Sequence, residues 1–331
     1  MSVADVMPEG MSGERVLVVV NPVARGGASE LACEVERQCL AGGVHPVSLR
    51  AVGVDEMTDS IVESTSGGGW AAVIAVGGDG TARTCASGLA AATRFDGEVG
   101  SERRAPLLVV PGGTGNSVYR ALWEDRPWPE VLALVLRGEV RARDVDLLAV
   151  RGVDSGVETT SLLGVTAGLI AEVVRVSQDL PAVSGRERYA AALGPALDAH
   201  RPFPARVTLD GALLRDGAVS LVAVGGARHR SGTFEILPRS ILDDGLLDVC
   251  VVDGVDGEGF VALAGAVLEG KHVGRPGVAY GQGRAVRIER TDGELLVTEH
   301  DGDPWPAADS ALEISVDGSV RMWAPAVAVA G

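Results

Sequence analysis

The sequence predicts an α/β fold in two parts: an N-terminal parallel sheet, then a larger, β-rich antiparallel part. Three observations carry this prediction. Strand-length aliphatic runs alternate with helix-length segments up to about residue 143. Several of those runs end abruptly in glycine-rich segments, which is the grammar of βα units and a parallel sheet. After residue 143, short strands separated by Asp-Gly and Gly-Gly turns dominate, as in antiparallel hairpins. The 331 residues are enough for two domains. Apolar residues make up 46% and aromatics only 4%, so the core should be aliphatic.

Residues 1–13 read as a loose leader, with no basic and apolar stretch of signal-peptide type. RVLVVV at 15–20 is a continuous aliphatic run, suited to a strand buried on both faces. NPVARGGA breaks it, and a helix over 28–41 follows, with Leu31 and Val35 at i, i+4. Val44–Leu49 predicts a second strand, and 55–64 a helix presenting Met57 and Ile61 on one face. AAVIAV at 71–76 is another buried run, ended by GGDGT and followed by a helix over 82–92. A fourth strand spans 106–110 and ends in PGGTGN, with helices to Trp123 and over 129–138. Beyond it the predicted strands lie within 144–152, 157–165, 205–211, 218–226, 246–252, 285–290, 294–302 and 311–323. Helices are predicted near 169–178 and 257–270, and a third over 186–200 should kink or break at Gly194-Pro195.

Charge narrows the function classes. A net charge of −16 argues against nucleic acid as a partner, because binding it needs a positive stripe that releases counterions. Lys271 is the one lysine, so no Walker-type phosphate loop is present. Cys33, Cys39, Cys85 and Cys250 form no C-x-x-C pair and read as small apolar filler rather than a zinc site. No stretch is long and apolar enough for a membrane span, which makes the cytoplasm the expected location.

GGDGT, Gly77 to Thr81, lies where a phosphate site should be, between a strand and a helix. Its glycines let the backbone approach a ligand, and the helix start offers amides and a positive dipole end. Thr81 suits a cap or a phosphate contact. Asp79 fits if Mg²⁺ or a ribose hydroxyl is also present, since a phosphate alone would repel it. The same residues also make a tight βα turn with an Asp cap. PGGTGN, Pro111 to Asn116, repeats the grammar after the next strand. Both loops should lie at the carboxyl ends of neighbouring strands, where open α/β sheets bind ligands. NPVARGG, Asn21 to Gly27, is a third loop at that edge, and its Arg25 suits either a phosphate or solvent.

Four motifs in order, NPVARGG, GGDGT, PGGTGN and DDGLLDV (243–249), together with HDGD (300–303), resemble the diacylglycerol kinase catalytic family. That family includes bacterial soluble lipid kinases and the sphingosine and ceramide kinases. GGDGT alone is shared with NAD kinases and phosphofructokinases; the ordered set is more specific. The resemblance implies an ATP-binding domain over 14–143, to which a tail over about 318–331 returns, and a β-rich lipid-binding domain over 144–317. It implies ATP between them, its phosphates at Gly77, Gly78, Asp79, Gly80 and Thr81, with Asn21, Thr114 and Asn116 completing the nucleotide site.

Two carboxylate motifs follow. By itself DDGLLDV is an Asx/Gly turn opening a strand. The resemblance implies a Mg²⁺ held there by the Asp244 side chain and the carbonyls of Ile241 and Leu246, with Asp248 in support. HDGD by itself is a hairpin turn, with His300 a bystander. The resemblance implies Asp301 as general base for a substrate hydroxyl and Asp303 second to it. The family pattern is Asp-Gly-Glu; Asp303 is one methylene shorter.

Other positions also depart from the pattern. Arg83 and Thr84 stand where the family has Asn and Glu, Ser87 replaces a second Asn, and Ser117 an Asp. In VTAGLIAEV (165–173) Ile170 or Ala171 displaces the expected Asp, leaving Glu172 as the nearest acid. Arg228, His229 and Arg230 form a basic cluster suited to lipid headgroups or to solvent. The implied activity is transfer of the ATP γ-phosphate to a hydroxyl of diacylglycerol or a similar lipid, with a transient visit to the membrane surface. The lipid pocket is expected mostly in the β-rich part. A non-catalytic relative that binds nucleotide or lipid is a second reading, motivated by Thr84 and Asp303. NAD kinase is a third, against which DDGLLDV stands.

Overall fold

The computed structural model describes residues 10–22, 27–95, 104–113, 115–180, 185–229, 234–255 and 257–326. The chain divides into two units: residues up to Val145 together with Ser319 onward, and Asp146–Gly318.

The first unit holds β1 (Arg15–Val20), α1 (Ala28–Ala41), β2 (His45–Arg50), α2 (Val54–Thr65), β3 (Ala72–Gly77), α3 (Asp79–Phe95), β4 (Leu107–Pro111), α4 (Ser117–Trp123) and α5 (Trp128–Leu136). Its strands pair in the order β2-β1-β3-β4, all parallel. β1, β3 and β4 are buried almost along their whole length, which is why they read as unbroken aliphatic runs. β2 is largely exposed at the edge, where Pro46 is tolerated. The end of the expected leader is not loose. Met11 is buried and donates its N–H to the Leu136 carbonyl at 3.1 Å. The expectation for residues 1–9 lies outside the described residues.

The second unit is antiparallel. β5 (Val140–Gly152) enters it, followed by β6 (Glu158–Ser161), β7 (Val165–Gly168), α6 (Leu169–Asp179), α7 (Gly185–Ala199), β8 (Phe203–Leu209), β9 (Ala212–Gly225), β10 (Leu247–Asp253), α8 (Gly257–Leu268), β11 (Val278–Gly283), β12 (Ala285–Arg290), β13 (Thr298–His300), β14 (Asp303–Pro304) and β15 (Ala311–Pro325). The strands pair in the order β14-β13-β7-β9-β8-β12-β15, and β10 joins β9 to β11. One core gathers inward residues of these strands, such as Val165, Val222, Val249 and Ile288. A second packs α6 and α7 on the other face through Leu169, Ile170, Ala192 and Ala196. Each Val, Leu or Ile among them contributes about 1.5–3 kcal/mol on full burial, and each Ala less.

Two helices differ from the sequence reading; in addition β11 was not expected, and the strand expected over 157–165 is two, β6 paired with β5 and β7 paired with β9. α7 runs unbroken through Pro195. Ala192 and Ala196 are fully buried on either side of it, so packing holds the turns that flank the missing N–H. α3 begins at Asp79 rather than near residue 82, so most of GGDGT is the helix's own first turn.

The unit boundaries fall inside strands. β5 begins in the first unit, and β15 re-enters it, where Met322 lies in parallel register with Leu107 of β4. Val320, Met322, Trp323 and Ala324 are buried there.

Candidate functional site: two glycine loops and two acidic turns

In the first unit, parallel pairing of β3 and β4 sets Gly77 opposite Pro111, so both glycine segments leave the sheet at one edge. Asn21 leaves by the same edge, because Val20 is in register with Val76. The segments touch backbone to backbone. The Gly112 N–H donates to the Gly77 carbonyl at 2.8 Å. A Cβ on Gly78 would stand 3.1 Å from the Gly113 Cα, and one on Gly77 would stand 2.8 Å from the Thr81 Cβ. Close packing of the loops is thus sufficient reason for these glycines.

The first helical bond of α3 runs from the Ala82 N–H to the Gly78 carbonyl at 3.1 Å. The amides of Gly80 and Thr81 lie in the first turn, where the helix supplies no carbonyl partner. This turn is a ready seat for an anion. Asp79 reaches across to the second loop: its Oδ1 accepts the Val118 N–H at 2.9 Å, capping the first turn of α4. Asn116 adopts a left-handed conformation (φ 51°), and its side-chain amide closes on the N–H and C=O of Gly113, both at 2.9 Å. Asp79 therefore ties the two loops together, and Asn116 braces the second loop on itself. Arg25 and Thr114 lie outside the described residues. Thr84, standing where a Glu is usual, is buried and donates its hydroxyl to the Gly80 carbonyl, so this position brings no carboxylate to the edge.

In the second unit Asp301 and Gly302 form the two-residue turn between β13 and β14, with φ of 52° and 88°. Positive φ at both positions is what an Asp-Gly hairpin provides. The Asp301 carboxylate is buried and receives four donors. The Ser161 hydroxyl (2.6 Å) and the amides of Leu163 (2.8 Å) and Gly164 (3.2 Å) meet Oδ1; the Leu162 amide (2.9 Å) meets Oδ2. Beside it, buried Glu299 accepts the Thr166 hydroxyl at 2.6 Å and the Gly302 amide at 2.7 Å. Asp303 pairs with His300 across the hairpin and is only half-buried. Sequence reasoning gave no role to Ser161, Thr166 or Glu299, although Thr166 lies within VTAGLIAEV.

The 241–246 turn is likewise held by an acid from far away. Asp244 accepts the Leu246 N–H at 3.0 Å in an Asx turn. Asp146 accepts the Gly245 N–H and donates its own to the Leu242 carbonyl, both at 2.8 Å. Burial raises the Asp146 carboxyl above its usual range, and the charges of Asp244 and Asp243 push the same way. Asp248 is fully buried and accepts from the Tyr280 hydroxyl (2.6 Å) and the Gln282 amide (3.2 Å). Among the described residues no group of three or more His, Cys, Asp or Glu side chains is placed to hold a metal. Glu172 pairs instead with buried His200, at 3.2 Å.

The profile of the diacylglycerol kinase catalytic domain matches residues 15–148, and that of the YegS C-terminal NAD kinase beta sandwich-like domain matches 164–322. A protein of Xanthomonas euvesicatoria pv. vesicatoria named "Probable lipid kinase YegS-like" is 30% identical over 255 residues, 76% of this chain and 78% of its own. This chain belongs to the diacylglycerol kinase family. The "Diacylglycerol kinase" of Bacillus subtilis is 26% identical over 220 residues, 65% of this chain and 66% of its own. A solved structure of a diacylglycerol kinase from Bacillus anthracis shares the fold, with a TM-score of 0.62 at 20% identity, over 93% of this chain and 96% of its own. Membership in the diacylglycerol kinase family makes this chain a phosphotransferase. The motifs that signal the family divide between the units: the glycine loops in the first, the acidic turns in the second.

Proposed function

We propose that this diacylglycerol kinase relative transfers the γ-phosphate of ATP to a hydroxyl of diacylglycerol or a similar lipid alcohol. The contact between the two glycine loops supports the reading best. Their backbones meet at one sheet edge, beside the first-turn amides of Gly80 and Thr81. Asn21, Gly77 and Gly78 stand at that edge too; Asp79 keeps the loops joined, and Asn116 fixes the shape of the second. Arg25 and Thr114 are assigned to the phosphates on the motif alone.

The acids divide their roles. Asp301 is buried, with three donors on Oδ1 and one on Oδ2, so we assign it the positioning of the 161–164 segment and of its own turn. Asp303 then takes the proton. The lipid oxygen attacks the γ-phosphorus, the bond to the β–γ bridging oxygen breaks, ADP leaves, and the hydroxyl proton passes to the Asp303 carboxylate. The Asp244 side chain and the carbonyls of Ile241 and Leu246 are assigned to Mg²⁺ on the motif, as oxygen donors that suit a hard cation; Asp146, raised first by burial and then by the charges of Asp244 and Asp243, adds a further acid beside them. When bound, Mg²⁺ supplies charge neutralisation.

Purified protein is incubated with labelled ATP, Mg²⁺ and a panel of lipid alcohols. The expected result is a labelled lipid phosphate, reduced roughly 100-fold or more in Asp303→Asn while ATP affinity is kept. ATP binding without product from any lipid alcohol would favour the non-catalytic reading. Formation of NADP would overturn the substrate class.

A further inference from the structure

The first unit carries a cavity of about 270 Å³ away from the glycine loops. Trp70, Leu89, Ala92 and Val320 form apolar wall, and Arg104 and Arg321 line it as well. Trp70 precedes β3 and Arg104 precedes β4, so the cavity opens at the amino ends of the strands whose carboxyl ends carry the loops. The length of β3 separates the two places by roughly 20 Å, at about 3.3 Å per residue.

Its walls are built rather than incidental. The Trp70 indole donates to the Ser64 carbonyl at 2.8 Å, and the Arg15 guanidinium lies 4.5 Å from its ring centroid. Leu89, Ala92 and Val320 are buried. Arg321 is oriented by Asp144, which accepts from its Nε at 3.2 Å. Arg104 differs: its Nε is buried, and nothing among the described residues accepts from it. A buried guanidinium N–H without an acceptor is unfavourable, and a guanidinium fork matches phosphate or carboxylate.

We infer that this cavity is a second binding site, for a small amphipathic anion whose phosphate or carboxylate meets Arg104 and whose apolar body lies against Trp70 and Leu89. α3 spans both places, starting at the glycine loop with Asp79 and lining the cavity with Leu89 and Ala92. The ligand class follows from the walls: a bare anion leaves the apolar surface unused, and an uncharged alkyl chain leaves the Arg104 Nε unmet.

The test is calorimetric titration of the full chain with octyl phosphate, inorganic phosphate and octanol, each with and without saturating ATP and Mg²⁺. Octyl phosphate should bind unchanged by ATP, inorganic phosphate at least about tenfold more weakly, and octanol not detectably. Arg104→Gln should weaken octyl phosphate by about tenfold or more with an unaltered melting curve. Ala90→Leu, which adds bulk to another lining residue of α3, should weaken it as well. Equal binding by Arg104→Gln, displacement by ATP, inorganic phosphate as strong as octyl phosphate, or no binding of octyl phosphate would each overturn the assignment.

Discussion

Asp301 illustrates how far a local motif carries. Its turn was legible, because Asp-Gly between short strands predicts a positive-φ hairpin. Its four donors were not, because Ser161–Gly164 lie far away in sequence and contain no signal beyond a strand end. Asp301→Asn would place an amide N–H₂ among donors and should lower stability by about 2–3 kcal/mol, read as a drop in the urea midpoint. Asp309 is a similar hidden acid. Burial pushes its carboxyl up, but the Trp305 indole, the Ser155 amide and hydroxyl and the Asp154 amide outweigh that and hold it below the usual range. A depressed carboxyl contributes stability above the unfolded Asp value, near about 3.9, and loses it as pH falls through the folded value. Asp309→Asn should therefore flatten the decline of melting temperature as pH falls below about 4. The cysteines were expected to be buried filler, and Cys39, Cys85 and Cys250 are; Cys33 is exposed on the outer face of α1. Burial, aided by Glu36, pushes the Cys39 thiol up to about 11, and burial pushes Cys85 and Cys250 up to about 12. Maleimide at pH 7.5 should modify Cys33 alone in the native protein and all four cysteines in denaturant, as counted by mass spectrometry.

The elements of the first unit were the most legible, because a strand buried on both faces must be aliphatic throughout and must stop at a residue that permits the turn. The start of α3 was misplaced since Gly-Asp-Gly-Thr reads as loop. Thr81 packing over Gly77, and the Asp79 bond to Val118, allow the helix to begin there. Two substitutions separate these roles. Gly78→Ala puts a methyl 3.1 Å from the Gly113 Cα and should push the loops apart, weakening ATP about tenfold or more by calorimetry. Asp79→Ala leaves the Val118 N–H uncapped and should cost about 1–2 kcal/mol in urea denaturation. α7 was misjudged for another reason. Proline weakens a helix locally, whereas the burial of Ala192 and Ala196 is a tertiary effect that no window of sequence displays.

At the scale of the whole molecule, the change from alternating α/β pattern to short strands near residue 143 is plain in the sequence. That β5 and β15 each carry both sides of the division is not, since a strand has the same period in either unit. The first unit is discontinuous, and its sheet includes Met322 beside Leu107. A fragment of residues 10–145 should thus unfold at lower urea than the same fragment supplied with residues 319–326, because Val320, Met322 and Trp323 would no longer be buried against it. Biosynthesis meets the same constraint. The ribosome makes β1 to β4 first and the closing strand only after all of Asp146–Gly318, a wait of roughly 10–35 s at ~5–20 residues per second. During that interval the nascent β4 flank is a natural target for chaperones, and a premature stop codon late in the message would damage the half of the protein that was translated earliest.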